Sequence, residues 1–358
     1  MTEDGAGTGP QTDKRPGLSS VGEFGLIGKI RQAARTGDPR VLKSIGDDAA
    51  VVSAGEKTLI TADLLVEDVH FKRSLTTPKL LGRKSAAVNL SDIAAMAGRP
   101  LFAILGLAAP GEFPLEDAEE FVQGFVDRCS EEGASLIGGD LCRSDRLVAA
   151  VTLIGEADPP GPVYRTGARI GDLVMITGVV GDSALGLMRL LEMEGPIRTE
   201  DIDADPLAGP IRAHLDPPAR VAAGMGLASI ATAMIDLSDG LVSDLTHILE
   251  ESGVPGATIN AAAIPLSNDF RKHFKIESDI RGEALRAAAN GGEDYELLFT
   301  VRPENEDRTK QAVSSAGIVA ATVGEITENE GIRFLDGAGD ELPFPAPLFE
   351  HFSKEDMG

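Results

Sequence analysis

Aspartate recurs at the ends of short apolar runs along this chain: IGDDAAVV (Asp47, Asp48), LITADLLV (Asp63), NLSDIA (Asp92), LIGGDL (Asp140) and MIDLSDGL (Asp236, Asp239). Each is an acid at the edge of an apolar run, in most cases beside glycine or serine. The strand ends of one sheet converge in space, so carboxylates placed there gather into one anionic cluster. Each aspartate alone would suit a cap or a turn. Together, with no histidine or cysteine among them, they are oxygen donors of the kind that hold a hard cation such as Mg²⁺. Asp92 sharpens the point. A helix ending at Gly98 and reaching back to Leu81 puts Leu81, Val88, Asp92 and Ala95 on one stripe. A lone carboxylate on a buried face is strongly unfavourable unless something pairs its charge.

Charge restricts the partners. The chain carries 57 acidic against 33 basic residues, a net −24. A nucleic-acid groove or an anionic membrane surface needs basic patches, so both are disfavoured. An anionic substrate would need metal cations to bind at all. With 358 residues, 42% hydrophobic and 25% charged, the chain has material for two domains and a sizeable core. Cys129 and Cys142 are too few for a disulfide framework or a zinc knuckle and read as small hydrophobes in a reducing compartment. The apolar stretches Leu101–Ala109 and Leu147–Ile154 are too short to span a bilayer. The N-terminus lacks the apolar core of a signal peptide, and residues 1–21 read as a disordered tail. A soluble, cytoplasmic protein is expected.

The segment AAVVSAGEKTLITADLLVEDVHF predicts two strands joined by a glycine turn at residues 54–57. A helix over 78–98 and a strand over Leu101–Ala108 follow. Pro114 opens a second helix with Leu115, Ala118, Val122, Phe125 and Cys129 on one face and Gly133 beyond its end. SLIGGD and RLVAAVTLIGEA supply two more strands. The pattern predicts an α+β fold, a sheet backed by helices on one side. DPPGPVY, residues 158–164, reads as a linker. Beyond it come the strand GDLVMITG, a helix in GDSALGLMRLLEMEG, helices over 217–230 and 240–252, and the strands ELLFTV and GIVAATVGEIT. Two mixed α/β domains are expected, 22–158 and 164–352. No P-loop is present (GRKS at 82–85 lacks the spacing), and no GxGxxG, kinase HRD or DFG, or GxSxG motif occurs. Phosphate chemistry here would rest on Mg²⁺, glycine turns and a few basic residues.

The motifs GEFGLI, IGDDAAVV, TADLLVEDVHF, NLSDIAAMAG, LIGGD, IDLSDGL and GGEDYELLF stand in this order over residues 22–352. They resemble thiamine-monophosphate kinase, in a superfamily with aminoimidazole ribonucleotide synthetase, selenophosphate synthetase and a hydrogenase-maturation protein. GDD and GGD mark the superfamily, while VHF and GGEDYEL are specific to the kinase. The resemblance implies ATP-dependent phosphorylation of thiamine monophosphate to thiamine diphosphate, with ATP in the cleft between the domains and a homodimer paired through the N-terminal sheets. It implies several Mg²⁺ ions held by Asp48, Asp63, Asp92, Asp140 and Asp236, with Thr61 as a side-chain ligand. Ala62, where threonine is common, keeps a backbone carbonyl, and Asp239 serves a peripheral metal. Gly139, Asp140, Arg165 and Ser238 match ATP contacts; His70, Glu293 and Phe349, with Phe352 one turn away, match substrate contacts. A carboxylate and an aromatic suit a cationic thiazolium or an aminopyrimidine, and Asp47 orients its turn. No covalent nucleophile or general base is expected. The alternatives are another ATP-using enzyme of the superfamily and a non-catalytic, cation-binding acidic protein. Residues 1–46 and 330–358 lack the cysteine expected of selenophosphate synthetase or the hydrogenase-maturation protein, and no EF-hand loop is present.

Overall fold

The computed structural model describes residues 22–43, 51–53, 57–193 and 195–343. The expected tail (1–21), Asp47 and Asp48, and the C-terminal segment with Phe349 and Phe352 lie outside the described residues. The first half runs α1 (Gly22–Ala33), β1 (Val41–Lys43), β2 (Val51–Val52), β3 (Thr58–Val66), α2 (Pro78–Ala95), β4 (Arg99–Ala109), α3 (Leu115–Glu131), β5 (Ser135–Arg143) and β6 (Val148–Glu156). The second runs β7 (Leu173–Thr177), α4 (Asp182–Glu192), α5 (Thr199–Ala204), α6 (Ala208–Leu215), α7 (Val221–Leu227), β8 (Ala233–Asp236), α8 (Leu241–Ser252) and β9 (Gly256–Asn260). It continues through α9 (Asn268–His273), α10 (Gly282–Asn290), β10 (Leu297–Val301), α11 (Glu306–Ser315), β11 (Ala320–Thr327), β12 (Gly331–Leu335) and β13 (Glu341–Leu342).

β3, β6, β4 and β5 form a four-stranded sheet in that order, antiparallel except for the parallel pair β4–β5. Register explains its two faces. Thr61, Asp63 and Leu65 stand opposite Leu153, Val151 and Ala149 and face the helices, where α2 and α3 complete the core with Phe121, Phe125 and Leu90. The alternate residues Ile60 and Leu64 point outward and are 71% and 56% exposed. The strand pair β1–β2 packs near Leu101, Phe102 and Ile137.

The second sheet has the order β13-β12-β9-β11-β7-β10-β8, all antiparallel but for β9–β12. Both faces are covered. Leu298 of β10 enters a core with Leu245 of α8 and Leu285 of α10, while Leu297 and Phe299 face Val221 of α7 and Val313 of α11. Ala94 and Ala95 of α2 belong to that second core, so α2 is shared by both halves.

α2 begins where Thr77 accepts from the Leu80 amide (3.3 Å) and Pro78 sets the first turn. It stops where Ala97 takes φ +54° and the Gly98 amide returns to the Ile93 carbonyl (2.9 Å). The expected single buried stripe is wrong. α2 is buried on nearly all sides, and Asp92 is among the few of its residues that keep a surface to solvent. The two strands expected over residues 51–66 form as β2 and β3, with β2 paired to β1 and β3 to β6; residues 54–56 of the turn expected between them lie outside the described residues. One other expectation is corrected. The helix expected over 217–230 covers only Val221–Leu227; Pro217 and Pro218 lack amide donors and hold the approach open. The helices on the faces of the second sheet other than α4, α7 and α8, and the strands β8, β9 and β12, had no expectation attached to them.

Candidate active site

The cluster forms where α2 crosses β3 and meets the end of β8. Thr61 and Asp63 sit two apart on β3, so their side chains share the face that meets α2. The Thr61 hydroxyl donates to Asp92 Oδ2. The Asp63 amide, on the free edge of β3, donates to Asn89 Oδ1 (3.1 Å), whose Nδ2 donates to the Ser85 carbonyl (3.2 Å). One turn of α2 beyond Asn89, Ser91 and Asp92 serve different partners. Ser91 donates to Asp236 Oδ2 across the two halves (2.7 Å). Asp63, Asp92 and Asp236 thus converge from three elements. Ala62 presents its side chain to the opposite, outer face, so only its backbone stays near this group.

The electrostatics follow from that crowding. Burial first, then the charge of Asp92 and a hydrogen bond with it, push the Asp63 carboxyl up to about 6. Burial also raises Asp92, against the Thr61 hydroxyl and the charge of Arg165, which oppose it. Asp236 reaches about 7 through burial and the Asp92 charge, partly offset by Ser91. Arg165 is therefore within electrostatic reach of both Asp92 and Asp236. Asp140 lies on β5 and is exposed. Its neighbour Gly139 presses on β4, since a Cβ there would stand 2.0 Å from the Leu105 carbonyl oxygen. Among the described residues, no three His, Cys, Asp or Glu side chains are grouped closely enough to hold one metal ion.

The loops IDLSDG and GGEDYE lie side by side. The Glu293 amide donates to the Ser238 carbonyl (2.7 Å), and the Tyr295 amide and Leu237 amide pair with the Leu237 and Glu296 carbonyls (both 2.8 Å). Glu293 and Tyr295 take φ of 57° and 51°, a conformation that side chains resist. The strap holds it because Gly292 (φ 66°) turns the chain under Ser238, where a Cβ would meet that carbonyl at 2.9 Å. Asp239 lies beside Asp244, whose Oδ2 accepts from the Asp239 (3.2 Å) and Gly240 (3.0 Å) amides.

Glu293 is held from both halves. Lys84 Nζ of α2 is 2.9 Å from its Oε1, and His214 Nδ1 of α6 is 3.4 Å from its Oε2. Burial works to raise its carboxyl, but Lys84, by its charge and its hydrogen bond, opposes it, and Glu293 is held below the usual range. His214 is pushed down to about 3 by burial and by Lys84, so it is neutral. His70 follows β3, and its Nδ1 accepts from the Val66 amide (3.1 Å). That bond leaves the proton on Nε2, making His70 a donor to whatever it faces.

The structure therefore brings Thr61, Asp63, Asp92, Asp236 and Arg165 together, and sets Glu293 and Ser238 on adjoining loops. Lys84, Ser91, Asn89 and His214 were missed by sequence reasoning. None of the four carries a signal without the fold: α2 also holds Lys79 and Arg83, so Lys84 does not stand out in it.

Comparison with known proteins defines the class. Residues 46–157 match the AIR synthase related protein N-terminal domain, and residues 169–337 its C-terminal domain, so this is an AIR synthase related protein of two domains. Hydrogenase maturation protein HypE from E. coli shares this fold (TM-score 0.69, 18% identity, covering 90% of this chain and 96% of that one). Thiamine-monophosphate kinase of Escherichia coli (strain K12) is 37% identical over 93% of this chain and 99% of its own length. That of Haemophilus influenzae is 35% identical over 94% and 99%. Thiamine-monophosphate kinase from Stenotrophomonas maltophilia K279a superposes with TM-score 0.76, 32% identity and coverage of 88% and 96%. AaThiL complexed with AMPPCP and TMP superposes with TM-score 0.68, 32% identity and coverage of 92% and 97%. The chain belongs to the thiamine-monophosphate kinase family.

Proposed function

We propose that this chain transfers the γ-phosphoryl group of ATP directly to thiamine monophosphate, giving thiamine diphosphate and ADP. The observation that carries the reading is the convergence of Asp63 and Asp92 from one half with Asp236 from the other, beside Arg165. A solved relative, AaThiL, binds both AMPPCP and TMP, an ATP analogue and the acceptor of this reading.

The chemistry asks little of the chain beyond placement and charge. The acceptor is a phosphate monoester with a second pKa of about 6, already an oxyanion at neutral pH. No general base is needed, which agrees with none standing in a recognisable motif. The obstacle is repulsion between two polyanions in an acidic protein, about 4 kcal/mol for each pair of unit charges 4 Å apart at an effective dielectric of 20. The chemistry Mg²⁺ would supply at these oxygen donors is neutralisation of phosphate charge. The donors of this cluster are carboxylate and hydroxyl oxygens, the type a hard divalent cation takes; as placed, no three of the described carboxylates are grouped closely enough to hold one ion. Asp48, Thr61, the Ala62 carbonyl, Asp63, Asp92, Asp140 and Asp236 would hold the ions, and Asp239 a peripheral one. Gly139, Asp140, Arg165 and Ser238 serve ATP. His70 through Nε2–H, Glu293 and Phe349 orient the thiamine moiety.

The same reading places a second copy of the chain against the outer face of the first sheet, where Ile60 and Leu64 stand exposed. The domains divide at 158–164, and the location is cytoplasmic; among the described residues no helix is long and apolar enough to cross a membrane. A coupled assay with Mg-ATP and thiamine monophosphate, free thiamine or an aminoimidazole precursor as acceptor tests the assignment. Turnover on the monophosphate alone is expected. Equal or faster phosphorylation of free thiamine would show the substrate assignment to be wrong.

A further inference from the structure

We propose that Lys84 is a positioning residue for acceptor selection: its ammonium, reaching across from α2, fixes the Glu293 carboxylate in the orientation that meets the amine-bearing end of the acceptor. The inference rests on the functional reading above and adds to it a residue from the opposite half. Lysine is rarely fully buried, yet the Lys84 side chain is only 4% exposed, and its Nζ lies 2.9 Å from Glu293 Oε1. The second oxygen, Oε2, is 3.4 Å from His214 Nδ1, itself 3.0 Å from Ser183 Oγ. The Glu293 backbone is tied by its amide to the Ser238 carbonyl (2.7 Å). Two side chains thus flank one carboxylate whose backbone is tied separately, and its side chain still keeps 30% exposure. Each carboxylate oxygen has two acceptor sites, so Lys84 and His214 leave capacity for a donor arriving from the open side.

A simple latch between the halves would not need this arrangement. Latching contacts already exist nearby, from Arg83 to Asp216 (2.8 Å) and from Arg128 to the Pro217 carbonyl (2.6 Å). Burying an ammonium is an unfavourable way to join two surfaces. What Lys84 adds is an ionised carboxylate, held at one angle, at the rim of the reacting group. A carboxylate left to rotate would meet an amine donor poorly, and one left protonated would present a hydrogen where the donor points.

The test uses the full chain, with initial rates for thiamine monophosphate and for the analogue whose exocyclic pyrimidine amine is replaced by oxygen. For Lys84→Met the acceptor KM should rise by about tenfold or more, as for loss of a charge-assisted contact. The KM for ATP should hold, and the preference for amine over oxygen should collapse. Glu293→Gln should do the same, and the double variant should be no worse than the weaker single one, because both remove one interaction. Lys84→Arg keeps the charge, and with it the fold, but displaces the carboxylate, so it should raise the acceptor KM by less. Unchanged acceptor KM and selectivity in Lys84→Met, or additive losses in the double variant, would overturn the proposal. Should Lys84→Met fail to fold, Lys84→Arg decides alone, and unaltered selectivity in it overturns the proposal equally. Wild-type protein that ignores thiamine monophosphate would overturn the functional reading and this inference together, whereas an active wild type beside an unaffected Lys84→Met overturns this inference only.

Discussion

Asp92 accepts a hydrogen bond from Thr61, shares one with Asp63, and feels Arg165 without a direct ion pair. Nothing in that set cancels its charge, so Asp92→Asn separates two roles. Asparagine keeps the shape and the Thr61 contact but removes the charge that would hold Mg²⁺. Turnover should fall by orders of magnitude, melting temperature without Mg²⁺ should stay equal or rise, and the gain from Mg-nucleotide should shrink. An active but unstable Asp92→Asn protein would show the charge to be structural. Asp294 makes a second prediction. Burial raises its carboxyl to about 8, against the Gly181 and Ser183 amides and with help from Glu296 and Asp182. The folded chain therefore holds a proton that the unfolded chain releases near the ordinary 3.8. That contribution is complete below the unfolded value and is lost as pH climbs through about 8, at about 1.4 kcal/mol per proton per pH unit. His214, ordinarily 6.5 and here about 3, acts only on the acid side of that window. Metal-free protein should thus melt lower at pH 8 than at pH 6.5, and Asp294→Asn should flatten the slope in calorimetry.

At the scale of elements, α2 and α3 approach through glycines. A Cβ on Gly82 would stand 1.9 Å from the Phe121 carbonyl oxygen, and one on Gly124 would stand 2.1 Å from that of Lys79. Helix propensity alone makes Gly→Ala favourable by about 1 kcal/mol. Overpacking of a close crossing acts the other way, by about 1–3 kcal/mol. Gly124→Ala should therefore destabilise, and because α2 carries Asn89, Ser91 and Asp92, turnover should drop with it. Denaturant midpoints and kcat measured together check this; a stabilised, fully active Gly124→Ala would mean the helices have room to separate.

At the scale of the molecule, α2 packs on the first sheet with its body and on the second with Ala94 and Ala95, so the carboxylates of two halves meet along one rigid element. The proposed direct transfer rests on the acceptor's own oxyanion and needs no covalent nucleophile. Protein incubated with γ-labelled ATP alone and then denatured should carry no stoichiometric label; stable, chaseable label would contradict it. The outer sheet face makes the remaining prediction. Leu64→Asp should shift sedimentation from dimer to monomer, since a carboxylate on an apolar interface is left without a partner. An unchanged sedimentation coefficient would place any dimer elsewhere.

What the chain alone offered was a set of candidate oxygen donors and their local frame. Acids beside apolar runs pointed to Asp63, Asp92 and Asp236, because turn and strand chemistry is local, while Thr61 entered only through the family resemblance. Pro78, Pro114 and the glycine before α4 set helix starts for the same reason. Tertiary structure decided which runs pair. β2 turned to β1 rather than β3, since register depends on a core that no local spacing encodes. It also decided that α2 is buried all round, through glycine crossings whose partners lie far along the chain. Above all it decided the company Glu293 keeps. Lys84 and Glu293 are 209 positions apart in the sequence, and only the packing of one half on the other sets an ammonium against that carboxylate.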